Sequence, residues 1–145
     1  MDELTGWQIC REGQVGLSGD KARDGQRWNS PGRALVYLSE HPALAVLEAR
    51  VHLDMPYAGV THDHVLVRVA LPADVEVVAA MPEDPRAAGD GWIAGGRSAV
   101  LSVPSMVLRE GRNLLLNPAH PRAGEARILA VTPFRFDERL WGGCS

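Results

Sequence analysis

The sequence predicts an α+β fold: one compact domain of mainly antiparallel strands carrying a few helices. Three observations lead there. Several apolar runs are short and alternate with a period of two, as half-buried strands do. One segment has a clear helical period. The 15 glycines and 10 prolines are spread over the whole chain, which suits many short elements joined by tight turns. The 145 residues fit a single domain, 1–145, around one core. No segment repeats at a fixed period, and no low-complexity linker divides the chain.

In chain order, Gly6–Cys10 reads as a short strand. From Arg11 to Arg33 the chain is rich in charge and in glycine (Gly13, Gly16, Gly19, Gly25, Gly32). An irregular stretch of that length in a small domain is usually a functional one. Ala34–Leu38 reads as a buried strand. A helix follows from about His41 to Leu53, with Ser39 as its cap, Pro42 in its first turn and Pro56 closing it. Leu44, Leu47 and Val51 recur at helical spacing and form its expected buried stripe.

His64–Leu71 alternates, with Val65, Val67, Val69 and Leu71 on one face. Val75–Val78 is a second short strand, Pro82–Asp90 a polar loop, and Trp92–Ala99 a short helix weakened by Gly95 and Gly96. Ala99–Val103, Met106–Arg109, Asn113–Leu116 and Arg127–Phe136 read as further strands.

Composition narrows the function classes. Hydrophobic residues are 46% and charged residues 23%, the balance of a globular protein. Lys plus Arg number 15 against 18 Asp plus Glu, a net charge of −3, so no direct nucleic-acid binding is expected. Cys10 and Cys144 form no CxxC pattern, so neither a disulfide framework nor a zinc site organises the chain. His62 and His64 would share one side of a strand as half of a metal site, but no third ligand stands at a recognised spacing. No metal is expected. Apolar runs are too short for a bilayer, and Met1-Asp2-Glu3 lacks the positive charge of a signal peptide. The expectation is a soluble, cytoplasmic protein without a membrane partner.

A few residues fit a purely structural reading poorly. Glu48 falls about 40° from Leu44 and about 60° from Val51, on the shoulder of the apolar stripe. It is either an exposed charge at the helix edge or a carboxylate lining a cleft. In Gly25–Gly32 (GQRWNSPG), Arg27, Trp28 and Asn29 stand between glycines. A guanidinium fork beside a flat ring suits a phosphorylated, planar ligand, though an ordinary turn with a core tryptophan has the same residues. No Gly-Lys-Ser/Thr follows, so this is not a nucleotide-binding P-loop. Ser105 lacks the GxSxG surroundings of a hydrolase nucleophile. Ser105 and Asn117, each beside a proline, also read as turn formers.

Taken in order, these pieces resemble the RES domain, named for Arg, Glu and Ser, which forms the toxin half of bacterial Xre–RES toxin–antitoxin pairs. The likeness runs from Gly6 to Trp141. It is carried by Gly25–Gly32 (GQRWNSPG), Ala34–Glu48 (ALVYLSEHPALAVLE), Val103–Ser105 (VPS), Asn113–Pro121 (NLLLNPAHP) and Pro133–Trp141 (PFRFDERLW). The resemblance implies a fold similar to ADP-ribosyltransferases and cleavage of NAD⁺ between nicotinamide and ribose. ADP-ribose would pass to a protein acceptor, to water or to phosphate. Arg27, Tyr37, Glu48 and Ser105 would carry the catalysis, and Arg27, Trp28, Asn29, Tyr37 and Asn117 would bind NAD⁺, with no metal.

The resemblance also implies an Xre-type antitoxin that occludes the Arg27–Glu48 cleft, and it allows a homodimer. One position departs from the pattern. Gln8 stands in Trp7-Gln8-Ile9, where many members carry an arginine. An amide brings no charge to a diphosphate, which leaves open a catalytically weak module that acts only by complexing a partner.

Overall fold

A single twisted sheet organises the molecule. The computed structural model describes residues 4–142; residues 1–3 and 143–145, Cys144 among them, lie outside the description. The strands are β1 (Thr5–Arg11), β2 (Val36–Ser39), β3 (His64–Ala70), β4 (Val75–Val77), β5 (Val100–Pro104), β6 (Arg112–Leu116) and β7 (Arg127–Pro133). Two helices, α1 (Pro42–Val51) and α2 (Pro85–Gly95), accompany them. The sheet order is β4-β5-β6-β2-β1-β3-β7. Only β4 and β5 run parallel; every other neighbouring pair is antiparallel. The fold is α+β, as expected. Among the described residues no helix is long and apolar enough to cross a membrane.

Period-two alternation divides the core into two layers. Val36, Leu38, Val65, Val67, Val69, Val100, Leu114 and Leu116 pack together in one layer. Leu35, Leu101, Val103 and Leu115 pack with Trp28 and Trp92 in the other, with Tyr37 against them. The valine face of β3 is the one the sequence indicated.

The sheet is not uniformly zipped. β1 pairs with β3 through all of Thr5–Arg11, and β2 pairs with β6 through all of Val36–Ser39. Between β1 and β2, however, the only registered pair is Trp7 with Ser39. Beyond that pair the Gln8 side chain, rather than a ladder bond, reaches across, its Nε2 donating to the Tyr37 carbonyl at 3.2 Å. The two halves of the sheet therefore separate at its centre.

Five local expectations need correction. First, α1 is capped by His41, whose Nδ1 accepts the Ala43 N–H at 3.0 Å, and not by Ser39. Ser39 is buried at the end of β2 and donates to Asn113. Second, Leu44 is buried but Leu47 and Val51 are exposed. The inward face is centred on Leu44, Ala45 and Glu48, so the helix is rotated away from its most apolar stripe.

Third, residues 82–90 are not a loop throughout and the helix does not run over 92–99. Asp84 accepts the Ala87 N–H at 3.0 Å, Pro85 opens the helix, and Gly96 at φ 59° closes it. Fourth, 106–109 form a turn and no strand. Ser105 Oγ accepts the N–H groups of Val107 and Leu108, each at 3.1 Å, and so takes these amides away from any ladder. Fifth, the last strand ends at Pro133, short of Phe136.

α2 approaches the Gly25–Gly32 segment closely enough that a Cβ on Gly89 would lie 1.8 Å from the Trp28 carbonyl oxygen. Gly91, two residues on and on the other side of the helix, has room for a Cβ with nothing within 4 Å of it. Gly89→Ala should therefore destabilise by about 1–3 kcal/mol or more through overpacking. Gly91→Ala should stabilise by about 0.5–1 kcal/mol through helix propensity alone. Chemical denaturation of the two variants checks this; equal midpoints would mean that α2 is not seated on Trp28.

Candidate active site

The opening between β1 and β2 is the mouth of a cleft of about 450 Å³. Both separated strands contribute to its wall, Trp7 and Gln8 from β1 and Tyr37 and Ser39 from β2. Glu48 of α1 and Asn113 of β6 complete it.

Glu48 comes to the cleft because α1 turns its Leu44–Ala45 face inward, and position 48 follows one turn later. Its Oε2 accepts two hydrogen bonds, from Ser105 Oγ at 2.8 Å and from Asn113 Nδ2 at 2.6 Å. Each donor is itself held. Ser105 Oγ receives the Val107 and Leu108 amides, and Asn113 Oδ1 receives the Ser39 hydroxyl at 3.1 Å. No described lysine, arginine or histidine forms an ion pair with Glu48. Neutral donors thus orient the carboxylate without cancelling its charge.

Tyr37 forms a second fixed group. Its Oη donates to Asn29 Oδ1 at 2.6 Å and accepts the Trp28 N–H at 2.9 Å. Burial pushes the phenol up to about 12, while the Trp28 amide and the nearby charges of Arg86 and Arg27 pull it back down. Tyr37 is a neutral cleft wall.

The other predicted residues are placed differently. Trp28 is 3% exposed and packs with Leu35, Trp92 and Leu101, so its ring offers no stacking face to the cleft. Asn29 is fully buried, its Nδ2 donating to the carbonyls of Ala22 at 2.7 Å and Arg33 at 2.8 Å. It ties both ends of the loop together. Asn117 is buried at the end of β6, where its Oδ1 accepts the Ala119 N–H at 3.0 Å in a turn. None of these three lines the cleft.

Arg27 is exposed beside the Tyr37 hydroxyl and outside the cleft lining. Ser105 stands behind Glu48 and does not line the cleft. The structure thus joins Glu48, Ser105 and Tyr37 to one site, with Arg27 at its edge. It adds Asn113, which the sequence places at the start of a strand and of the Asn113–Pro121 motif but does not single out as a site residue. Alternation was the available signal: Asn113 shares a sheet face with Leu115, opposite Ser39 and near Tyr37. Among the described residues no group of three or more His, Cys, Asp or Glu side chains could hold a metal ion.

The RES domain family model matches residues 5–137. Among known proteins the chain is 34% identical to the "Prs ADP-ribosylating toxin" of Sphingobium sp., over 92% of this chain and 94% of that one. It is 31% identical to "Toxin Res" of Pseudomonas putida, over 93% and 98% of the two chains. Among solved structures it resembles a chain in the M. tuberculosis MbcT–MbcA toxin–antitoxin complex, with a TM-score of 0.73 and 17% identity. That match covers 92% of this chain and 85% of the other, and it extends the likeness to the fold.

Tyr37 and Tyr57 are the two tyrosines, so a Tyr57→Phe variant reports Tyr37 alone. Its ultraviolet titration should have a midpoint near 12 instead of the ordinary value of about 10. The folded value lies above the unfolded one. The linked stability is therefore complete below about pH 10 and is lost as pH rises through 12. A midpoint near 10 in folded protein would contradict the buried, bonded phenol.

Proposed function

The chain belongs to the RES domain family, and from that premise we propose that it is the toxin of a bacterial toxin–antitoxin pair that consumes NAD⁺. The reaction is cleavage of the bond between nicotinamide and ribose. The observation that carries this reading is Glu48, a carboxylate in a cleft, oriented by two neutral donors and paired with no described cation.

The chemistry needs little else. As the bond breaks, its electron pair passes to the pyridinium nitrogen, and nicotinamide leaves as a neutral molecule without being protonated. Positive charge develops on the ribose. A fixed carboxylate stabilises it most where water screens poorly. An acceptor then bonds to the anomeric carbon and gives up a proton. The name of the Sphingobium relative supports transfer of ADP-ribose to an acceptor, and a protein acceptor is our reading. Ser105 and Asn113 act as positioning residues for Glu48. Tyr37 bounds the nicotinamide end, its neutral hydroxyl already committed to Asn29 and Trp28. Arg27 serves the approach of the diphosphate from the rim.

An unregulated enzyme of this kind would harm its host, so an Xre-type antitoxin that covers the cleft belongs to the proposal. Exposed Arg27 forms no described ion pair and is a ready partner for an acidic group on it. Any DNA binding by the complex falls to that antitoxin, because a net charge of −3 gives this chain no basic footprint.

Release of free nicotinamide from NAD⁺ by the purified chain tests the reading. Glu48→Gln keeps an oxygen for both donors and removes the charge. It should lower the rate by about 10²–10³ with little change in melting temperature. Near-normal turnover by the folded variant would remove Glu48 from the reaction. A wild-type chain that releases no nicotinamide would favour the module that acts only by binding a partner. Arg27→Lys should weaken NAD⁺ use, because lysine keeps the charge and loses the bidentate fork. Full activity in both Arg27→Lys and Arg27→Ala would mean that another group grips the diphosphate.

A further inference from the structure

The cleft wall carries cations as well as a carboxylate. Besides Glu48, it includes Arg11 and Lys21. Arg11 is already matched, its Nε donating to Asp63 Oδ2 at 2.8 Å. Lys21 is not: it makes no ion pair with any described carboxylate. It belongs to the turn Asp20–Ala22, whose position is fixed on both sides. Ala22 is buried, and its carbonyl accepts Asn29 Nδ2 at 2.7 Å. The loop pinned by Asn29 thus also sets where Lys21 stands.

The group beside the Lys21 ammonium is the thiol of Cys10, buried in the strand that forms the cleft wall. Lys21 is exposed as a whole, as a side chain on an open cleft wall is. Its surroundings nevertheless desolvate the ammonium enough to hold it below the ordinary lysine range, with Cys10 pulling weakly the other way. Burial pushes the Cys10 thiol up, with Lys21 opposing, so the thiol stays neutral and supplies no counter-charge. A cation that is crowded, bonded only to a neutral thiol and set on a cleft wall is a receptor for an anion.

We propose that Lys21 is the cation of the cleft wall that receives the diphosphate of the dinucleotide, with Arg27 outside at the rim, so that Glu48 and Lys21 together make the cleft electrostatically polar. The assignment rests on the NAD⁺ reading above and deepens it. The ligand has matching polarity: its nicotinamide riboside end is cationic and gains charge on the ribose during cleavage, and its diphosphate is anionic. Gln8, also on the cleft wall, is committed through its Nε2 to the Tyr37 carbonyl. Lys21, from a neighbouring segment, supplies the charge that Gln8 cannot.

ADP is the probe, because it carries the diphosphate without nicotinamide. Calorimetry with wild-type chain should detect ADP binding, and Lys21→Met should weaken it by about 10- to 100-fold, the loss of a charge-assisted contact. Lys21→Arg should restore most of the affinity. Arg11→Met should weaken it far less, because that charge is already matched by Asp63. In turnover, Lys21→Met should raise KM for NAD⁺ and leave kcat within about threefold, the pattern of lost uniform binding. Equal ADP affinity in wild type and Lys21→Met overturns the assignment alone, as does a loss confined to Arg11→Met. A wild-type chain that releases nicotinamide but binds no ADP overturns the assignment alone, and one that does neither overturns it together with the NAD⁺ reading.

Discussion

The pair of hydrogen bonds that Ser105 and Asn113 give to one oxygen of Glu48 is the constraint around which the site is arranged. A partly buried carboxylate must recover the hydration it loses, and an arginine or lysine would do so most simply. Here the donors are neutral, so the charge stays available to the cleft. That choice has structural consequences. Helix α1 must rotate until Glu48 faces inward, which leaves Leu47 and Val51 in water. The chain after β5 must turn at once, because Ser105 Oγ also holds the Val107 and Leu108 amides. An exposed Met106-Val107-Leu108 turn is the outcome.

The second constraint is the parted sheet. Two well-zipped halves, β4-β5-β6-β2 and β1-β3-β7, meet through the single pair of Trp7 and Ser39. A polar ligand can enter where the ladder is missing, and side chains from both faces of the strands can reach it. The loop that closes the opening is held by Asn29, which bonds Ala22, Arg33, the Gln26 amide and Tyr37. α2 adds a further hold: Asp90 accepts from the amide and hydroxyl of Ser30, and Arg86 donates to the Gln26 carbonyl. The motif residues Trp28 and Asn29 are therefore buried behind the cleft and hold the loop in place, while their neighbours Lys21 and Arg27 meet solvent.

This division explains which features could be read from the sequence. Strand alternation in β3, the strand character of β1 and β6, and the place of α1 were legible because each follows from local pattern. Helix α2 was hidden because Gly89 and Gly91 weaken its propensity, even though Asp84-Pro85 and Gly95-Gly96 mark its ends. The orientation of α1 was not legible, since local hydrophobicity favours Leu47 and Val51, and only the tertiary pull of Ser105 and Asn113 turns it. Glu48 and Ser105 were indicated by the motifs. Asn113 opens a motif and alternates onto the right face of its strand, but its role depends on the pairing of β6 with β2, which alternation alone does not specify. Trp28, Asn29 and Asn117 carry motif positions yet are consumed by packing and turns.

The central claim is that NAD⁺ is held with its nicotinamide ribose at the uncancelled carboxylate of Glu48. The most direct measurement is a crystal structure of the wild-type chain with an NAD⁺ analogue whose nicotinamide–ribose link is a carbon–carbon bond that cannot be cleaved. The account predicts the ribose anomeric carbon about 3.5 Å from a Glu48 oxygen, a distance suited to acting on the developing cation. An analogue bound with that ribose outside the β1–β2 opening, and with Glu48 still facing only Ser105 and Asn113, would contradict it.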